Sequence, residues 1–300
     1  LKNKIVFGTL GALIANIIFG FSFLFSKVAL GVAHPLIIIS VRFTVAFLIL
    51  NILWAFGVFK LKFKGKPKGK ILLMAVAQPL LYFIFELYGI DKTSSAISGV
   101  IISLVPIAVI VLSTLILREK PTLIQVVFSV VSLGAVAIIS IFSNDGNTSS
   151  LLGILLLLGA VLCAAVFNIL SRSESEHYSP FERTYIMFLV GTVGFNLIAL
   201  CGLRGDFIPQ MSIAVSNGSF WWAIGYLSIL SSIGAFMLYN YATSIIDTVR
   251  AASFSNIITV VSVLAGLFIM QEKLSALQII CCAFIILGVF GTNLRIKNKE

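Results

Sequence analysis

Gln78, Tyr82 and Glu86 stand four residues apart in an otherwise apolar run. Helical spacing puts the amide, the phenol and the carboxylate on one stripe. Such a stripe suits a polar, partly apolar ligand; it equally suits a hydrogen-bonded seam between helices with Glu86 protonated. Pro79 interrupts the same run and would free backbone carbonyls there. Arg42 lies inside another apolar run, and its permanent charge needs a carboxylate, a phosphate or carbonyl oxygens. Glu86 could pair with Arg42 or with Lys27, although Lys27 is close enough to its helix end to snorkel toward headgroups. Glu86 is the acidic side chain that stands clearly within an apolar run, which makes it the candidate for taking up and releasing a proton. Asn16, Asn168, Tyr239 and Asn256 add polar groups in other runs. Both histidines, His34 and His177, fall outside the runs, so no Ser–His nucleophile is formed, and carboxylates do not cluster as a metal-dependent transfer would require. The four cysteines read as small buried hydrophobes with no zinc or redox spacing. No metal and no cofactor is expected.

The elements that carry these residues are dictated by the solvent. Of 300 residues, 59% are hydrophobic and 11% charged, and the mean hydropathy is +1.11. About a quarter of a soluble domain is charged, and a chain of this length leaves roughly a quarter of its surface exposed. The solvent must be lipid. Continuous apolar runs, far longer than a barrel strand, predict helices over 5–29, 35–58, 71–90, 93–117, 121–142, 151–171, 184–203, 220–242, 247–270 and 274–294. The first run is too long for a signal-peptide core and is read as a retained helix. With the N-terminus inside, sixteen Lys and Arg face the cytoplasm and three face out, so both termini are expected in the cytoplasm. The net charge of +10 therefore reflects this asymmetry and not a nucleic-acid surface. Lys60–Lys70 is expected to meet anionic lipid. Its GKPKGK is one residue short of a phosphate loop, with Ile71 where Ser or Thr should stand.

A repeat is also present. REKPTLIQVV (Arg118–Val127) matches QEKLSALQII (Gln271–Ile280) at an offset of 153, with Glu119 on Glu272 and Gln125 on Gln278. At an offset of 145, HPL (His34–Leu36) echoes SPF (Ser179–Phe181). The units are placed at 1–143 and 144–300. Five helices in each force the second unit into the membrane upside down, so Glu119 faces the cytoplasm and Glu272 the exterior. Small residues at Ala12 and Gly20, and at Ala160 and Ala164, predict close helix packing beside Asn16 and Asn168. Trp221 and Trp222 suit an outer aromatic belt.

With FGFSFLFSK ending at Lys27, VRF around Arg42, Ser103–Gln125, and the stretches Tyr239–Ile257 and Leu264–Gln278, nearly the whole chain resembles the EamA-like branch of the drug/metabolite transporter superfamily. The proline thirteen residues before the glutamate is Pro106 in the first half and Thr259 in the second. The resemblance implies an all-α integral membrane protein of ten helices in two five-helix inverted repeats. It also implies a secondary transporter of small metabolites, commonly an exporter of amino acids or related compounds, in a plasma (inner) membrane. Gln78, Tyr82, Glu86, Arg42, Asn16, Asn168, Tyr239 and Asn256 are then the expected substrate contacts, with Glu86 as the proton-coupling group. A cavity offering Glu86 and Arg42 would read both ends of a zwitterion. A carrier of sugars, nucleobases or cationic drugs, or an intramembrane enzyme, is the alternative.

Overall fold

The computed structural model describes residues 2–117, 123–142, 150–246, 251, 254–272 and 274–292. Those residues form helices and no strands. In chain order they are α1 (Lys2–Leu30), α2 (Pro35–Ala55), α3 (Gly69–Ala75), α4 (Tyr82–Asp91), α5 (Ser95–Ile102), α6 (Val105–Leu117), α7 (Leu123–Phe142) and α8 (Leu151–Glu174). There follow α9 (Pro180–Leu203), α10 (Phe207–Val215), α11 (Gly218–Gly225), α12 (Phe236–Ile245), α13 (Ser255–Leu264) and α14 (Ala276–Thr292). Seven helical stretches are long and apolar enough to cross a membrane, and three shorter apolar ones follow the same pattern. Residues 118–122, which include Glu119, lie outside the described residues.

Side chains are distributed as lipid demands. Large apolar groups such as Trp222, Phe268 and Ile208 face outward, while Asn16, Asn168, Asn240 and many serines are buried. Among the described cysteines, all free, Cys281 and Cys282 are buried but Cys201 is exposed; on a lipid-facing surface a thiol needs no burial. Helix starts are set by local caps: His34 accepts from the amide of Leu36, Ser94 from Ile97 and Ser150 from Gly153. These bonds satisfy amides that the first helical turn leaves free.

The helix predicted over 184–203 begins four residues earlier. Ser179 and Glu182 form a reciprocal capping box, with Pro180 at the first position. Glu182 and Arg183 precede the predicted helix, yet both are buried within α9. The run predicted as one helix over 93–117 is split by a turn at Ser103–Leu104, and α10 is a helix that hydropathy did not anticipate.

Two long segments are bent in mid-span. Between α3 and α4, Val76–Leu81 widens into a π-helical turn, and Gln78 leaves helical geometry at φ −145° and ψ 117° beside Pro79. Between α11 and α12, Tyr226–Ala235 widens in the same way without a proline. Packing crosses between the two ends of the chain. α1 packs on α12 and α13, whereas α8 packs on α4, α5 and α6; α2 meets α9, α5 meets α13, and α7 meets α14.

Gly99 shows how close these approaches are. A β-carbon there would fall 2.4 Å from the Ser262 Cβ, an overlap that no rotamer change relieves. Gly99→Ala is therefore expected to force α5 from α13 and to destabilise by about 1–3 kcal/mol. A thermal melt of the detergent-solubilised variant checks this, against Gly134→Ala, where a β-carbon meets open space.

Candidate functional site

Both bent segments border one internal cavity of about 60 Å³, several times the space one water needs. α1 contributes Asn16, α2 contributes Arg42, the first bend and α4 contribute Gln78, Tyr82, Phe83 and Glu86, and α8 contributes Phe167 and Asn168. From the second bend and α12 come Ser231, Phe236 and Tyr239, and from α13 Ser255 and Ile258. The structure thus brings together Asn16, Arg42, Gln78, Tyr82, Glu86, Asn168 and Tyr239 on one wall system. The side chain of Asn256 lies outside the described residues, as does Ser253.

Arg42 is 3% exposed. Its Nε donates to Ser232 Oγ at 2.9 Å and its Nη2 to Ser231 Oγ at 3.0 Å. The guanidinium carbon sits 4.3 Å from the centre of the Phe83 ring, a cation–π contact worth about 2 kcal/mol when desolvated. Ser228 Oγ in turn donates to the Arg42 carbonyl at 3.0 Å. All these partners are neutral. Among the described residues the ion pair within 4 Å is Lys66–Glu182, neither of which lines this cavity. Arg42 therefore has no carboxylate in direct contact among the described residues, and Glu86 acts on it from across the cavity.

Glu86 is 6% exposed, and Tyr82 donates its hydroxyl to Glu86 Oε1 at 2.7 Å. The expected pairing of Glu86 with Arg42 or Lys27 is corrected: neither comes within 4 Å. Lys27 does not snorkel free either. Its Nζ donates to the carbonyls of Ile90 at 2.9 Å and Thr93 at 2.7 Å, at the C-terminal end of α4, where the dipole favours a cation. The asparagines are held alike. Asn16 Nδ2 donates to the Ala12 carbonyl at 2.7 Å, Asn168 Nδ2 to the Ala164 carbonyl at 2.8 Å, and Tyr239 donates to Asn168 Oδ1 at 2.6 Å. The small-residue stripes thus carry both packing and a cavity-facing amide.

Outside the cavity, Arg183 is 0% exposed, which removes it from the set of cytoplasmic surface charges. It donates to the Ser171 carbonyl and hydroxyl, each at 2.7 Å, and to the Asn240 carbonyl, so it ties α8, α9 and α12. Glu182 accepts from the Lys62 amide at 2.7 Å, from Lys66 Nζ at 2.6 Å and from the Ser179 amide at 2.9 Å. Phe59 stacks on Phe181 at 4.0 Å. The basic run is docked on the start of α9 through Lys66, leaving Lys60, Lys62, Lys64, Lys68 and Lys70 exposed. Near the other end, Glu272 accepts from the amides of Ser95 at 2.7 Å and Ala96 at 3.0 Å, capping α5.

Two separate stretches, residues 6–141 and 151–294, match the EamA-like transporter family. The chain belongs to the EamA-like transporter family. An uncharacterized transporter of Bacillus subtilis strain 168, YcxC, is 34% identical over 97% of this chain and 94% of its own length. An uncharacterized transporter of Archaeoglobus fulgidus is 26% identical over 90% and 93%. A chloroplastic WAT1-related protein of Arabidopsis thaliana is 23% identical over 89% of this chain and 64% of its own. A solved crystal structure with 17% identity shares the fold, with a TM-score of 0.64 over 95% of both chains. As an EamA-like protein the chain is a multi-pass membrane protein of transporter type, and its buried cavity is where that role should be sought.

Sequence reasoning missed part of the EamA-like cavity. Ser231 and Ser255 gave no signal because serine in a membrane helix ordinarily bonds back to its own backbone. The aromatic wall, Phe83, Phe167 and Phe236, is indistinguishable from core by composition. One signal was available: Phe83 and Phe236 are 153 residues apart, the offset of the repeat.

Proposed function

We propose that this EamA-like protein is a secondary transporter, an exporter or exchanger, of a small zwitterionic metabolite, an amino acid or a close relative. The observation that carries the reading is that the Arg42 guanidinium and the Glu86 carboxyl line one cavity without direct contact with each other. A carboxylate of the ligand would meet the fork of Arg42. An ammonium would meet Glu86 and the amides of Asn16, Gln78 and Asn168. Buried binding groups without ionic partners discriminate strongly, because a ligand lacking the matching group leaves them unpaired.

The ten-helix, two-repeat architecture with inverted halves is supported by the register of the cavity wall. Gln78 and Ser231, Phe83 and Phe236, Glu86 and Tyr239, Ile102 and Ser255, and Val105 and Ile258 are each 153 positions apart, and all ten line the cavity. The family similarity likewise falls in two stretches, residues 6–141 and 151–294. Rocking of one unit against the other would expose the cavity to alternate sides. The Lys and Arg asymmetry supports cytoplasmic termini, and the family resemblance supports a plasma (inner) membrane. The exposed lysines of Lys60–Lys70 would hold that face against anionic lipid.

The test is uptake of a labelled amino-acid panel into proteoliposomes, with and without a pH gradient. At least one amino acid is expected to accumulate and to be displaced by its unlabelled form. Absence of flux for every amino acid would overturn the substrate class and move the search to sugars, nucleobases and cationic drugs.

A further inference from the structure

The polar groups on the cavity wall are satisfied in different ways. Arg42, Asn16, Asn168, Tyr82 and Glu86 all hold partners within the protein. The Ser255 hydroxyl is 94% buried and has none among the described residues. A buried hydroxyl without a partner is costly, and several buried serines avoid that cost by bonding back, although Ser95, which does not line the cavity, is unpartnered like Ser255. Ser22 donates to the Phe19 carbonyl at 2.6 Å, and Ser103 to the Val100 carbonyl at 2.6 Å. Ser255 opens α13, and the carbonyl four residues before it, Ala251, accepts the amide of Phe254. The position 153 residues earlier, Ile102, lines the same cavity with an apolar side chain. Packing at this wall therefore does not require a hydroxyl.

The placement of Ser255 says what it would bind. α13 is ten residues long, and its N-terminal turn, carrying partial positive charge, starts on the cavity that Arg42 also lines. We propose that Ser255 is a ligand-binding residue, whose hydroxyl and helix N-terminus receive the anionic oxygen group of the transported molecule alongside Arg42. This rests on the transporter reading above and deepens it. Arg42 fixes the charge, and Ser255 fixes the direction from which a carboxylate is approached.

The test uses the full chain in proteoliposomes, with Cys163, Cys201, Cys281 and Cys282 replaced by alanine and Ser255→Cys introduced. Its modification by an anionic methanethiosulfonate (ethylsulfonate) is compared with that by the cationic trimethylammonium reagent, each normalised to its rate with free cysteine. The anionic reagent is expected to react on the order of fivefold faster, and Arg42→Gln should abolish the preference. No modification, or equal normalised rates, would overturn the proposal. In parallel, Ser255→Ala should weaken apparent affinity for the transported amino acid about tenfold with an unchanged melting temperature, and Ser255→Thr should restore it; wild-type affinity in the alanine variant would also overturn it. If the wild type carries no amino acid, the substrate class fails while the labelling result still decides Ser255.

Discussion

Arg42→Gln is expected to lower amino-acid uptake on the order of a hundredfold while leaving the protein as stable as before, or more so. Taking a guanidinium out of water costs several kcal/mol even after relaxation. Here the compensation comes from two serine hydroxyls and an aromatic face, with no carboxylate within 4 Å among the described residues. A fold that needed only to fill this space would be better served by a neutral side chain, and glutamine can keep a bond to Ser231 or Ser232. Loss of a buried charge-assisted contact to a ligand costs about 2–5 kcal/mol, and about 2.7 kcal/mol is already a factor of a hundred. Stability and transport should therefore move in opposite directions, as expected when a site is kept for function at the expense of the fold. Arg42→Lys keeps the charge but loses the planar fork, so uptake should fall between the two. Uptake within a few fold of wild type in Arg42→Gln, or a collapse of its melting temperature, would mean that Arg42 serves the fold and not the ligand.

The residues that were legible in the sequence share a physical reason, as do those that were not. Gln78, Tyr82, Glu86 and Arg42 stand out because a polar group in lipid must face the bundle, and in the structure each does. The spans were legible because lipid permits no unsatisfied backbone, so each crossing is a continuous apolar run. Charged residues near span ends were harder. Glu182 and Arg183 ended the apolar run on paper, yet one caps α9 and the other bonds carbonyls of α8 and α12. Lys27 was expected to snorkel toward the headgroups or to meet Glu86, whereas the carbonyls of Ile90 and Thr93 receive it. Hydropathy records that a charge is costly; it does not record which oxygens repay the cost. The Ser103–Leu104 turn was missed because it does not change the hydropathy of its neighbourhood, and α10 because nine residues are too few to read as a span.

Glu86→Gln separates two things the carboxyl could do. Glutamine has nearly the same volume and can still accept the Tyr82 hydroxyl, which sits 2.7 Å from Glu86 Oε1, so the local geometry should survive. What disappears is the ability to change charge. If Glu86 carries the coupled proton, its two protonation states differ by one unit of charge on a wall that already holds Arg42, and a ligand's charge would have to complement each state in turn. In proteoliposomes with an imposed pH gradient, Glu86→Gln is then expected to lose gradient-driven accumulation by at least about tenfold, the low end of what a lost buried charge contributes. Exchange of labelled for unlabelled amino acid at equal pH needs binding and rocking but no net proton movement, so it should fall less than accumulation does, with the amides of Asn16, Gln78 and Asn168 still receiving the ammonium. Loss of both activities would make Glu86 a binding residue first. Accumulation that still follows the gradient in the variant would remove Glu86 as the coupling group. A wild type indifferent to the gradient would make the carrier a facilitated exchanger, with the Tyr82–Glu86 pair reading the ammonium end of its substrate.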